Sequence, residues 1–343
     1  MTKRSAASAS PPAEDRWGAW DAFLEATHDA AFLQSSWWAD FRTVTGFEHF
    51  GAVLRSEGVV VGGALVLRRS YDRKRCFYYI PDGPVMPSDD EEAASQIFAA
   101  TLQSIDEHRK TDPQTVSHLR IEPRWAAAPG YVSGFRTAPS DGYHEPRSSL
   151  WIDLRPSEQE ILAQMKPKGR YNVRVAQRHG VTVVEDASEQ GVADFIDLYE
   201  ETASRQDFAA KPPDYFGDLV ALLTSVRRGS VLFAEHEGTR IAGAIVVTFG
   251  RRATYFFGGS LTTHRHLMAP YLLHFEIMRR CKATGHEWYD LWGVAPKDDP
   301  NHKWQNITRF KRQFGGVDVD FIPALDYVYD RAAYDRYLAK KNP

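Results

Sequence analysis

Cysteine is nearly absent from this chain of 343 residues: Cys76 and Cys281 are the only two. They stand far apart with no partner motif, which excludes a disulfide framework and a cysteine-based zinc site. Such sparing use fits a reducing compartment, so the cytoplasm is the expected location. Long apolar runs are missing as well. Segments such as 59–67 and 241–249 contain glycines and reach only strand length, so nothing in them spans a bilayer. Charge of one sign is also lacking: the net charge is −3, so a nucleic-acid partner has to be held by local patches and not by a global field. Neither GxxxxGK[ST] nor GxGxxG occurs, which removes the P-loop and Rossmann fingerprints, and the absence of GxSxG removes the commonest hydrolase signature. His264 and His266 bracket Arg265 with no third ligand at metal-binding spacing, so no metal and no other cofactor is expected.

What is present is a globular balance, 43% hydrophobic and 25% charged, on a chain long enough for about two domains. The first sixteen residues are small and polar and read as a disordered tail, with order expected from Trp17. A long self-similarity sets the architecture. Glu57-Gly58 with Gly63 recurs as Glu237-Gly238 with Gly243, an offset of 180, and Tyr78-Tyr79 recurs as Phe256-Phe257 at an offset of 178. Each Glu-Gly pair separates two β-branched apolar runs, the signal for a hairpin turn with φ > 0. Amphipathic stretches at 91–110 and 268–284 follow, and each leads into a further strand. This order predicts two copies of one α/β unit.

Between the copies, Ser157 with Glu160 three residues on predicts a capped helix. Pro167 and Gly169 are expected to interrupt it before a second helix that ends at Gly180. Residues 192–226 read as helical, broken at Lys211-Pro212-Pro213, and residues 318–330 read as a strand and short helix returning to the first domain. The expected domains are 17–148 with 318–343, and 149–317.

Basic charge is concentrated in two acid-free windows. Residues 161–184 hold Lys166, Lys168, Arg170, Arg174 and Arg178, and a helix would project the last three along one face. Two readings stay open for this stripe, a solvated helix face and a track for phosphates. Residues 301–317 hold Lys303, Arg309, Lys311 and Arg312, with Lys311 between Phe310 and Phe314-Gly315-Gly316. An ammonium held beside aromatic walls is partly desolvated, and there it can stabilise an oxyanion.

The segments SLWIDLRPSEQEILAQMKPKGRYNVRVAQRHGVTV and YDLWGVAPKDDPNHKWQNITRFKRQFGG resemble the two hallmark blocks of the Fem-type aminoacyltransferases, which build peptidoglycan interpeptide bridges with aminoacyl-tRNA. FLQSSWWADFR and YYIPDGPV resemble that family's entry block and its strand ending in GPV. The similarity spans roughly residues 30–330, and the lack of a heptad run makes the chain similar to the compact, FemX-like type without a coiled-coil arm. The resemblance implies an α/β fold of two tandem GNAT-like domains with mixed central sheets. It also implies transfer of an amino acid from aminoacyl-tRNA to the amino group of a stem peptide on a UDP-linked or lipid-linked peptidoglycan precursor.

By resemblance, Phe310 and Lys311 fall on the catalytic pair, with Asp89, or Asp90 beside it, as the acidic residue after GPV. Arg42, Tyr79, Arg205, Tyr215 and Tyr255 fall on acceptor-binding positions. Lys168, Arg170, Arg174 and Arg178 would hold tRNA phosphates or the diphosphate of the acceptor. The expected partners are aminoacyl-tRNA and the precursor, with peripheral contact to the inner membrane face, and the protein is expected to be a monomer. Two rival functions remain. An acyl-CoA-dependent GNAT enzyme would show [QR]xxGx[GA] before a helix, and no glycine here fits it. A non-catalytic RNA-binding GNAT pair would not need the intact FK…FGG block.

Overall fold

Two Glu-Gly turns reverse the chain at equivalent points. Glu57 and Gly58 have φ of 50° and 84°, and Glu237 and Gly238 have 49° and 77°, so both turns need two consecutive left-handed residues, which glycine eases. In the computed structural model, which describes residues 13–27, 32–87, 90–139, 144–206 and 208–341, these turns join β1 (Glu48–Ser56) to β2 (Val59–Asp72) and β8 (Gly229–His236) to β9 (Thr239–Phe249). The pairing repeats residue for residue at the offset read from the sequence: Ser56 faces Val59 and Leu54 faces Gly62, while His236 faces Thr239 and Ala234 faces Ala242. Each hairpin also carries its register shift at the same place, Leu54/Arg55 and Ala234/Glu235.

The chain forms two compact units, one running to Leu119 and including Val328–Tyr337, the other built on Arg120–Tyr327. In the first, α1 (Ala13–Ala26) and α2 (Ser36–Val44) precede β1, β2 and β3 (Arg75–Pro81), then α3 (Glu91–Lys110) and β4 (Thr115–Glu122), with strand order β1-β2-β3-β4. Helix α1 begins at Ala13, four residues before the expected start of order; residues 1–12 of the expected tail lie outside the described residues. The return of the C-terminus to this unit is local. Tyr329 and Asp330 donate their N–H groups to Ser117 O at 3.0 and 3.1 Å, and the rings of Tyr334 and Tyr337 lie 5.0 and 4.6 Å from that of His118.

The second unit holds β5 (Arg136–Thr137), β6 (Ser148–Asp153), α4 (Glu158–Gln164), α5 (Pro167–Arg178), β7 (Thr182–Glu185), α6 (Glu189–Gln206) and α7 (Pro213–Ser225). After β8 and β9 come β10 (Arg252–Ser260), α8 (Ala269–Ala283), β11 (Trp288–Asp290), α9 (Gln305–Lys311), β12 (Val317–Asp320) and β13 (Leu325–Val328). Its sheet runs β12-β6-β11-β10-β9-β8-β7 and is mixed, because helix α8 carries the chain from β10 to a parallel β11 while β6 returns antiparallel to β11. Apolar side chains of β6, α5 and α8, among them Ile152, Val173, Leu272 and Met278, bury a common core with Phe314. Arg120 and Asp326, neither exposed at all, form a two-pronged ion pair at 2.8 and 2.7 Å.

Two sequence expectations are corrected here. Residues 317–320 do not leave for the first unit; as β12 they pair with β6, Val317 opposite Trp151 and Asp320 opposite Ser148, and the stretch grouped with the first unit is Val328–Tyr337. Compactness likewise groups residues 120–148 with the second unit. The break between α4 and α5 falls at Lys166, not across 167–169. Pro167 occupies the first turn of α5, where its missing N–H costs nothing, and position 169 lies inside the helix as glycine because a Cβ there would collide with Gln313 O. The capping box at Ser157 and Glu160 forms as expected. Among the described residues no helix is long and apolar enough to cross a membrane.

Candidate functional site

Helix α9 is short, and its last residue, Lys311, is turned inward: the side chain is 6% exposed. A lysine so placed must find acceptors, and Nζ donates to Gly293 O at 2.7 Å and lies 3.4 Å from Trp292 O. Its ammonium also stands 5.8 Å from the centroid of the Tyr255 ring on β10. Burial pulls the Lys311 amine down to about 7, with the negative charge of Asp290 opposing that shift. Beneath it, His274 on α8 shares a hydrogen bond of 2.7 Å between Nδ1 and the Tyr289 hydroxyl. Burial, and then the Lys311 charge, push that imidazole down to about 3, so it is neutral at working pH. Phe310 packs beside this cluster, 5.2 Å from Tyr271 and 5.6 Å from His274.

The carbonyls that meet Lys311 come from an unusual turn after β11. Trp292, a bulky residue, has φ of 59°, a conformation that costs about 1–2 kcal/mol away from glycine. The turn is held from below: Trp292 N–H donates to Asp290 Oδ1 at 2.8 Å, and the Ser149 hydroxyl donates to the same oxygen. The Trp292 ring lies 5.7 Å from Phe256 on β10.

Strand β10 is the spine of the site. Its register shift between Tyr255 and Phe257 interrupts the alternation of side chains. Tyr255 faces Lys311 and His274, the latter at 4.5 Å between rings, while Phe257 packs on Tyr215 at 5.9 Å. Tyr215 opens α7 and is 9% exposed, with Lys211 Nζ 5.3 Å from its ring. At the far end of β10, Arg205 donates to Ser260 O at 2.9 Å and to the hydroxyls of Thr262, Ser260 and Thr202 at 2.8, 3.2 and 3.2 Å. Lys311, Phe310 and Tyr255 thus share one neighbourhood around His274, Tyr215 packs on Phe257 beyond the register shift of β10, and Arg205 is a strut tying α6 to the end of that strand.

The other candidates are placed elsewhere. Lys168, Arg174 and Arg178 are exposed on α5, and Arg178 lies 5.8 Å from the ring of Tyr171, itself 58% exposed. Arg170 departs from this face: it donates to Ala163 O at 3.0 Å and to Met165 O, closing the C-terminal carbonyls of α4. Tyr79 is fully buried in β3 of the first unit, opposite Leu67. Arg42, in the same unit, is half-buried, with its guanidinium 4.4 Å from the Phe47 ring centroid. Asp89 lies outside the described residues. Its neighbour Asp90 is the N-cap of α3, accepting from Ala93 N–H at 2.9 Å.

Sequence reasoning missed Asp290, Ser149, His274 and the carbonyls of Trp292 and Gly293. The Trp-Gly dipeptide was a signal for a turn, but it points to glycine as the left-handed residue, whereas the structure assigns that conformation to the tryptophan.

A model of the FemAB family matches residues 18–129, 130–224 and 230–341. The chain is 21% identical over 385 residues to the lipid II:glycine glycyltransferase of Staphylococcus haemolyticus strain JCSC1435, covering 92% of both. It is 23% identical over 293 residues to the UDP-N-acetylmuramoylpentapeptide-lysine N(6)-alanyltransferase of Weissella viridescens, covering 81% of this chain and 83% of that one. The crystal structure of FemX superposes with a TM-score of 0.83 at 19% identity, over 92% of this chain and 96% of that one.

Proposed function

The chain belongs to the FemAB family, with its tandem GNAT-like α/β fold, and on that premise we propose that it is an aminoacyltransferase that extends the stem peptide of a peptidoglycan precursor. The donor in this reading is an aminoacyl-tRNA. The stem-peptide amine attacks the ester carbonyl, an amide forms, and the terminal ribose hydroxyl leaves. The ester is already activated, so what the protein has to supply is position and stabilisation of the tetrahedral oxyanion. The observation that carries the reading is the buried Lys311 ammonium, held by Gly293 O at 2.7 Å beside Tyr255, in a chain the family matches almost end to end. Asp89 is the candidate to accept the proton lost by the amine. Lys168, Arg174 and Arg178 on α5 are the candidate contacts for tRNA phosphates; Arg170 already spends donors on Ala163 and Met165.

The test is incubation of the purified protein with a pool of charged tRNAs and with both UDP-linked and lipid-linked precursor, followed by mass spectrometry. The mass added to one acceptor identifies donor and acceptor together, and no added mass with any charged tRNA overturns the reading. For the helix face, the double reversal Arg174→Glu with Arg178→Glu is expected to weaken tRNA binding and to flatten its salt dependence by about two phosphate contacts. Binding isotherms across a salt series measure this, and an unchanged slope leaves α5 a solvated face.

A further inference from the structure

Asp290 ends β11 and is 0% exposed. Its two oxygens are used unequally. Oδ1 accepts from Trp292 N–H at 2.8 Å and from the Ser149 hydroxyl, whereas Oδ2 is buried without a hydrogen bond and has Arg252 Nη1 at 3.8 Å. A buried carboxylate with one oxygen left in this state costs stability, which the charge of the buried Arg252 offsets in part. The turn that Oδ1 holds is the one whose carbonyls receive Lys311, and the carboxylate charge acts on the lysine.

We propose that Asp290 is a positioning residue for Lys311: its hydrogen bond to Trp292 fixes the left-handed turn that aims two carbonyls at Nζ, and its negative charge keeps the buried side chain an ammonium. The inference rests on the role given to Lys311 above. The titratable groups around that lysine are His274 from α8, Tyr255 from β10, and Tyr289 and Asp290 from β11, with Arg252 of β10 on the far side of the carboxylate. Burial keeps His274 deprotonated and Tyr255 and Tyr289 protonated, so these three are neutral. Asp290 is therefore the negative charge that acts on Lys311.

The experiment compares pH profiles of single-turnover transfer for the wild type and Asp290→Asn, which keeps an acceptor oxygen for Trp292 and Ser149 but removes the charge. The ammonium is the working form, so activity falls as pH rises through the lysine value of about 7, and loss of the carboxylate moves this fall to lower pH. A displacement of one pH unit gives a loss of about eightfold at pH 7.5 and less than about twofold at pH 5.5. An unmoved limb in Asp290→Asn, where Lys311→Ala has collapsed transfer, overturns this inference and leaves the reading of Lys311 intact; transfer retained by Lys311→Ala removes that reading instead. Should Asp290→Asn fail to show a cooperative melt, Ser149→Ala takes its place. It keeps the charge and loosens the anchor, so the expected result is a limb at the wild-type pH with a plateau several-fold lower. A wild-type plateau, or a displaced limb, in that variant overturns the proposal.

Discussion

Lys311→Ala is expected to lower aminoacyl transfer on the order of 10²- to 10³-fold, with tRNA binding in a gel-shift assay close to that of the wild type. The separation of the two effects follows from burial. With 6% of its surface exposed and Nζ on Gly293 O at 2.7 Å, Lys311 has little to offer a polynucleotide backbone, and in the proposed reading its role is to act on the charge that develops on the attacked carbonyl. Near wild-type turnover in the variant removes the residue from the mechanism.

The same burial makes a stability prediction with a definite sign. The folded-state value of about 7 lies below the ordinary lysine value of 10.5, so between these the unfolded chain binds more protons than the folded one. Stability contributed by this residue therefore rises with pH across that window, and below it the folded state carries the full penalty of a buried ammonium. Lys311→Met should be more thermally stable than the wild type at pH 6, with the difference shrinking as pH approaches 10. A melting-temperature difference that does not vary with pH would show that the amine is solvated in the folded protein.

Asp326→Ala is expected to cost about 3–5 kcal/mol of unfolding free energy, read from urea titration of the whole chain. The reason lies in the buried ion pair. Arg120 and Asp326 are both 0% exposed and joined by bonds of 2.8 and 2.7 Å, so alanine removes a carboxylate that a buried guanidinium is bonded to twice. The double replacement Arg120→Met with Asp326→Leu removes both charges and should recover most of the loss. A single-variant cost below about 1 kcal/mol would mean that water reaches the arginine.

Much of this protein is legible without its structure, and the legible parts share a cause. The Glu-Gly turns, the capping box at Ser157, helix α3 at its expected bounds and the breaks at Gly180 and Pro212 are set by residues within a few positions of one another. The repeat at an offset of 180 was readable because each copy has to fold by the same local rules, and the register of the two hairpins agrees with it. Strand β12 was misassigned for the opposite reason. Four residues of alternating polarity can complete any sheet edge, and their partner, β6, is more than 160 residues away in sequence.

The candidate site divides along the same line. Its membership in a lysine-bearing block was visible in FKRQFGG, since acid-free windows and aromatic spacing are properties of the sequence itself. That Lys311 is buried, that Arg170 turns back onto the carbonyls of α4, and that Arg205 braces β10 are settled by long-range packing. So is the left-handed Trp292, whose strain is tolerated because Asp290 and Ser149, from two neighbouring strands, hold it from below. The sequence by itself determined two α/β copies, their turns and caps, and the family. Only the tertiary structure decided which charges are desolvated and which carbonyls face the lysine, because burial and electrostatic coupling depend on what distant segments bring alongside a residue.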